Sequence, residues 1–136
     1  MDREHFEGEY RYTLVCVDSY EDRVLSGRLY NPLWSEGILF TSAVDMIRAL
    51  EKLMDKLDVP HQLPALRTFE TREFDQHPFE VQTPPTGALA TFQLRILYRR
   101  HASWQGSILW VDENRTEAFR STMELLLLMD SALRKA

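Results

Sequence analysis

Three residues recur at one fixed interval along this chain. Gly106, Phe119 and Ser121 follow Gly27, Phe40 and Ser42 by 79 positions each (106 − 27, 119 − 40 and 121 − 42). Few other identities survive, but residue character is matched at the same interval: Val15 with Leu94, Val17 with Ile96, Leu25 with Trp104, Leu29 with Ile108, Ile47 with Leu126 and Leu50 with Met129. A repeat of this kind points to an internal duplication. Each copy spans fewer than about 50 residues, a size that rarely buries enough surface to fold alone without staples. The two copies are therefore expected to share one core.

The pattern within each copy defines its elements. Residues 10–17 alternate and are rich in Tyr, Thr and Val, with Thr13, Val15 and Val17 on one face, which predicts a strand. A polar turn over Asp18–Asp22 leads into a returning strand over Val24–Tyr30. Gly27 lies inside that strand and marks a bulge or a close backbone approach. Asn31 and Pro32 end it, and Ile38–Phe40 supply a short third strand. Ser42 and Asp45 form a capping box at the head of a helix that runs to about Leu57. Its apolar stripe is Ala43, Ile47, Leu50, Met54 and Leu57, with Asp45, Arg48, Glu51, Lys52, Asp55 and Lys56 facing water.

The second copy repeats the plan. Phe92, Leu94, Ile96 and Tyr98 lie on one face of a strand, and Trp104, Gly106, Ile108 and Trp110 on one face of the next. A short strand over Glu117–Phe119 follows, then a capping box at Ser121 and Glu124 and a helix from Thr122 to about Lys135. The predicted class is α+β: two pseudo-symmetric strand–strand–strand–helix units whose antiparallel sheet packs on two helices. Residues 1–136 form a single domain, with unit one over 10–58, an extended Pro-rich connector over 59–88 and unit two over 89–136. The connector carries five of the six prolines. It is expected to pack in extended form and to add an edge strand near Arg67–Phe74, with disorder the competing reading.

Composition narrows function mainly by exclusion. One cysteine, Cys16, excludes an internal disulfide framework and a cysteine-rich zinc site. Cys16 has no activating base in the sequence and reads as a small apolar strand residue. No apolar run reaches membrane-spanning length, the longest being Leu125–Met129. No Gly-rich phosphate loop or nucleophile elbow is present. These features point to a cytoplasmic protein with no cofactor and no membrane partner. The net charge of −5 argues against duplex nucleic acid, although residues 89–136 hold seven bases against five acids.

Three groups of residues remain as candidates. The last helix carries Leu125, Leu126, Leu127 and Leu128 in succession, which covers most of its circumference. Such a helix calls for cover on several sides, so Leu125, Leu127 and Leu128 are candidates for self-association as a homodimer, or for binding another protein. Arg95, Arg99, Arg100 and His101 combine positive charge with nearby Tyr98, Trp104 and Trp110, the chemistry of single-stranded nucleic acid or nucleotide binding. Alternation nevertheless places those rings on the core side. Glu73, Asp75 and His77 alternate and would share one face of an extended chain, as a metal-dependent enzyme requires, although a solvated loop before Pro78 is the simpler reading. No metal site is assigned. The primary reading is a non-enzymatic interaction or regulatory module that self-associates through its last helix.

The run Ala102-Ser103-Trp104-Gln105-Gly106, with Phe119-Arg120-Ser121, Glu124-Leu125, Asp130 and Ala132-Leu133, resembles the tail of small bacterial proteins of unknown function. The resemblance implies a bacterial cytoplasmic protein and carries no activity. Its residues are those already assigned to strand, cap and core.

Overall fold

The computed structural model describes residues 12–32, 37–56, 77–79, 85–100 and 103–135. In chain order the elements are β1 (Tyr12–Ser19), β2 (Ser26–Tyr30), β3 (Gly37–Phe40), α1 (Ala43–Lys56), β4 (His77–Phe79), β5 (Ala90–Arg100), β6 (Ser103–Trp110), β7 (Arg115–Phe119) and α2 (Thr122–Lys135). The strands form one seven-stranded sheet in the order β4-β3-β2-β1-β5-β6-β7, and every neighbouring pair is antiparallel. The protein is thus α+β, an antiparallel sheet with two helices. Val15, Val17, Leu29, Phe92, Leu94 and Ile108 share a core with Met46 and Leu50 of α1 and with Leu125 and Met129 of α2. Both helices therefore lie on the same face of the sheet.

The interval of 79 reappears in the hydrogen-bond register. Val15 pairs with Leu29, and Leu94 pairs with Ile108 (15 + 79 and 29 + 79). Gly27 pairs with Phe40, and Gly106 pairs with Phe119. The ladder between β1 and β2 shifts between Val17 and Ser19, and that between β5 and β6 shifts between Ile96 and Tyr98, again 79 residues on. Where the two runs meet, Leu14 of β1 pairs with Gln93 of β5 (14 + 79), flanked by Thr13 with Leu94 and Val15 with Phe92.

Both glycines sit where two backbones come too close for a side chain. A Cβ on Gly27 would overlap the carbonyl oxygen of Cys16, and one on Gly106 would overlap that of Arg95. Neither glycine has a positive φ, so each is required for space rather than for an unusual backbone angle. Beside each glycine lies the register shift, where one extra residue bends the longer strand.

The helix caps also match, with one departure from expectation. The Ser42 hydroxyl accepts the Asp45 N–H at 3.1 Å, and the Ser121 hydroxyl accepts the Glu124 N–H at 3.1 Å. The returning carboxylates pass over the cap residue and accept from the residue before it. Asp45 accepts the Thr41 N–H at 3.2 Å and the Thr41 hydroxyl at 2.7 Å, and Glu124 accepts the Arg120 N–H at 2.9 Å.

Other boundaries shift by a few residues. β2 begins at Ser26 rather than Val24, and the preceding turn holds a short 3-10 segment, Glu21–Arg23. Asp22 and Arg23 there have φ of 53° and 62°. The buried face of α1 is wider than the expected stripe, because Met46, Ala49 and Leu53 are buried beside Leu50 and Met54. The outer edge of the sheet is β4, whose His77, Pro78 and Phe79 pair with Leu39, Ile38 and Gly37. The edge strand expected near Arg67–Phe74 falls outside the described residues, as do Leu57 and most of the 59–88 connector. Among the described residues no helix is long and apolar enough to cross a membrane.

Adding one methyl at either glycine forces two paired backbones apart. Gly27→Ala and Gly106→Ala should each lower the unfolding free energy by about 2–3 kcal/mol, measured by urea denaturation. Ser107→Ala, on the neighbouring position of β6, should change it by less than about 0.5 kcal/mol.

Candidate interaction surface and the polar clusters beneath it

The bulge in β5 decides where the basic residues go. Up to Ile96 the alternation points Phe92, Leu94 and Ile96 toward the helices. Leu97 is the extra residue and is exposed. Beyond it the phase is inverted, so Arg99 pairs with Trp104 and both turn inward. The Arg99 side chain is only 3% exposed. Its Nη1 donates to Glu51 Oε1 and to Asp55 Oδ1, each at 2.8 Å. The other Glu51 oxygen, Oε2, accepts the Trp104 indole N–H at 2.8 Å. The Trp104 backbone N–H donates to the Thr122 hydroxyl at 3.0 Å, and the Thr122 N–H donates to the Ser103 hydroxyl at 2.8 Å. One cluster therefore ties α1, the β5–β6 hairpin and the first turn of α2.

This arrangement corrects two expectations. Arg99 is not offered to a phosphate backbone, because its guanidinium is buried against two carboxylates. Glu51 does not simply face water, because it joins a charged pair to an indole inside the fold. Of the other members of the basic group, Arg95 lies against Tyr12, with its guanidinium carbon 5.4 Å from the ring centroid. The Arg100 side chain and His101 lie outside the described residues, as do Glu73 and Asp75, while His77 falls in β4. Among the described residues no three His, Cys, Asp or Glu side chains converge as a metal site. Cys16 is fully buried in β1, and burial pushes its thiol up to about 11 despite the nearby Arg28.

A second polar pair, not legible as a site in the sequence, lies toward the opposite end of the β1–β5 ladder. The Tyr20 hydroxyl donates to Asp130 Oδ1 at 2.6 Å, and Arg134 Nη2 lies 2.9 Å from Asp130 Oδ2. The Tyr20 hydrogen bond holds the Asp130 carboxyl below its ordinary value, with Arg134 acting the same way, and Tyr20 in turn is pushed up by its bond to Asp130. Tyr20 and Asp130 stand at the interval of 79 from Arg99 and Glu51 (20 + 79 and 51 + 79). The signal that would have found them was the interval itself, carried from the strands to the polar residues.

At the far edge of the sheet, β7 and α2 present a surface that is open among the described residues. β3 is covered by β4, but β7 ends the strand order. Arg115, Thr116, Glu117 and Ala118 are all exposed along it. Behind this edge lies a cavity of about 180 Å³ lined by Phe92, Ile108, Trp110, Leu128 and Ala132, with Arg115, Glu117 and Lys135 also on its wall. The Trp110 indole N–H is buried without a hydrogen-bond partner among the described residues. The cavity has a simple origin. Ala132 occupies the position matched by Leu53 in α1 (53 + 79), and Leu53 is packed in the core.

The leucines of α2 divide accordingly. Leu125 is fully buried in the core, which removes it from any self-association surface. Leu128 lines the cavity beside β7. Leu127 is 59% exposed, and Met123, one turn earlier, is 70% exposed. No protein-family model, curated protein or solved structure matches the chain.

Two outcomes follow from the buried groups. Arg99→Ala leaves Glu51 half-buried beside an indole with no cation, and should destabilise the fold by about 3–5 kcal/mol in urea denaturation. Arg99→Met should cost less, because it retains the apolar stem. For Cys16 the folded thiol ionises near 11 and an ordinary thiol near 9.0. Between these values the unfolded chain has released a proton that the folded chain keeps, so this group's contribution to stability is lost as pH rises from 9.0 to about 11. Cys16→Ala should flatten that part of the stability–pH curve, and native Cys16 should resist iodoacetamide at pH 8.

Proposed function

We propose that this protein is a non-enzymatic interaction module, formed by internal duplication, that assembles as a homodimer through β7 and the adjoining face of α2. The observation that carries this reading is the contrast between the two sheet edges. The repeated register supports a duplication, and under it β7 corresponds to β3. Among the described residues, β4 pairs with β3, and no strand pairs with the outer side of β7. An open edge leaves one row of backbone N–H and C=O groups available for pairing with another chain.

The residues on β7 select a second copy as the occupant. Charged residues on an edge ordinarily discourage pairing. Here their spacing makes them self-complementary. An antiparallel pair centred on Thr116 sets Arg115 opposite Glu117 of the partner subunit, and Glu117 opposite Arg115 of the partner subunit. Both ion pairs lie on the helix side of the sheet, over the cavity that Arg115 and Glu117 help to line. The same two-fold arrangement brings α2 toward its own copy, where Leu127 and Leu128 supply apolar cover. An isologous two-fold contact closes after two subunits and leaves no edge for a third.

Charge reversal tests the register directly. Wild-type protein should run as a dimer in sedimentation velocity. Arg115→Glu alone places like charges opposite one another and should yield monomer. Arg115→Glu combined with Glu117→Arg restores the complement and should restore the dimer. Wild-type protein that stays monomeric at all concentrations, or a dimer indifferent to Arg115→Glu, overturns the reading.

A further inference from the structure

We infer that the hollow between the β1–β2 turn and α2 is a binding site for a small planar aromatic molecule bearing an N–H donor, of the indole class. The hollow has a volume of about 190 Å³ and is lined by Tyr20, Leu25, Ala43, Leu126, Met129, Asp130 and Leu133, with Arg23 at its rim. A dry apolar cavity of about 150 Å³ accommodates benzene, so the space suits a small aromatic ring system.

The protein displays the occupied form of this hollow within its own structure. At the interval of 79, Leu25 corresponds to Trp104, Ala43 to Thr122, and Tyr20 to Arg99 (25 + 79, 43 + 79 and 20 + 79). Asp130 corresponds to Glu51, and Leu126 and Met129 correspond to Ile47 and Leu50 (130 − 79, 126 − 79 and 129 − 79). In the second half the Trp104 side chain is fully buried and its indole N–H donates to Glu51. In the first half the smaller Leu25 leaves the corresponding space open, while the carboxylate that would receive an indole N–H is still there.

The acceptor is ready for such a ligand. Tyr20 and Arg134 fix the Asp130 carboxylate, each bonding one oxygen, and each oxygen retains a further lone pair. Leu25, Met129 and Leu133 are buried and supply apolar walls. The ligand buries its rings against them and donates its N–H to Asp130, as Trp104 does to Glu51. The site lies away from β7 and does not depend on dimer formation.

The test uses the full-length chain titrated with indole and, in parallel, with indene, which has the same ring shape but no N–H. Binding is read from amide shifts in two-dimensional NMR. Indole should bind saturably, shift the amides of Tyr20, Leu25, Ala43 and Asp130, and bind about tenfold more tightly than indene. Leu25→Trp places an indole in the hollow from the chain itself and should abolish these shifts while leaving the melting temperature equal or higher. Leu25→Phe fills only part of the space and should weaken binding without abolishing it, which keeps the test decisive if the larger substitution fails to fold. Absence of saturable indole binding, equal affinity for indene and indole, or shifts elsewhere in the protein overturns the inference.

Discussion

Each helix makes polar contacts with the other half of the chain, although α2 also meets its own half where Thr122 bonds Ser103 and Trp104. α1 follows β3, yet its Glu51 and Asp55 bind Arg99 and Trp104 of the β5–β6 hairpin. α2 follows β7, yet its Asp130 binds Tyr20, beside the β1–β2 turn. Each half thus holds the other's helix, and the β1–β5 ladder joins the two sets of strands beneath them. These contacts and the β1–β5 ladder tie the two runs into one body.

The two exchanged contacts are chemically unequal. On one side an Arg guanidinium is almost wholly withdrawn from water, a costly step that is offset only because carboxylates receive it. Removing either partner would leave a charge without compensation in a poorly solvated place. On the other side a neutral phenol donates to a carboxylate that also meets Arg134 near the surface. Desolvation is smaller there, and so is the penalty for disturbing the contact. Trp104 is fully buried beside the first of these contacts, and open space remains beside the second.

Much of the architecture was legible because the same residue pattern recurs at the interval of 79. Gly27 and Gly106, Phe40 and Phe119, and Ser42 and Ser121 sit at positions where backbone approach, core packing and helix capping leave little freedom. Alternation placed Val15, Leu94 and Ile108 on the core side. It failed at Arg99, because a strand has period two and a single bulged residue inverts every facing beyond it. Leu97 and Tyr98 are both compatible with either face, so residue character alone does not reveal the inversion. Glu51 was misread for a related reason: a helix stripe ranks residues by polarity and misses a carboxylate drawn inward by a buried cation. Leu125 was misassigned because a run of leucines carries no phase until packing sets the helix rotation.

Open space in this protein occurs where matched positions differ in size. Leu53 fills against the sheet, but Ala132 at the corresponding place leaves the cavity behind β7. Trp104 fills beneath α1, but Leu25 leaves the hollow beneath α2. In both places the polar group that would meet an occupant remains, the Trp110 indole N–H in one and the Asp130 carboxylate in the other. A packed interior closes around small voids when stability is the only demand. Both voids here border one of those two polar groups, at positions where the matched residues differ in size.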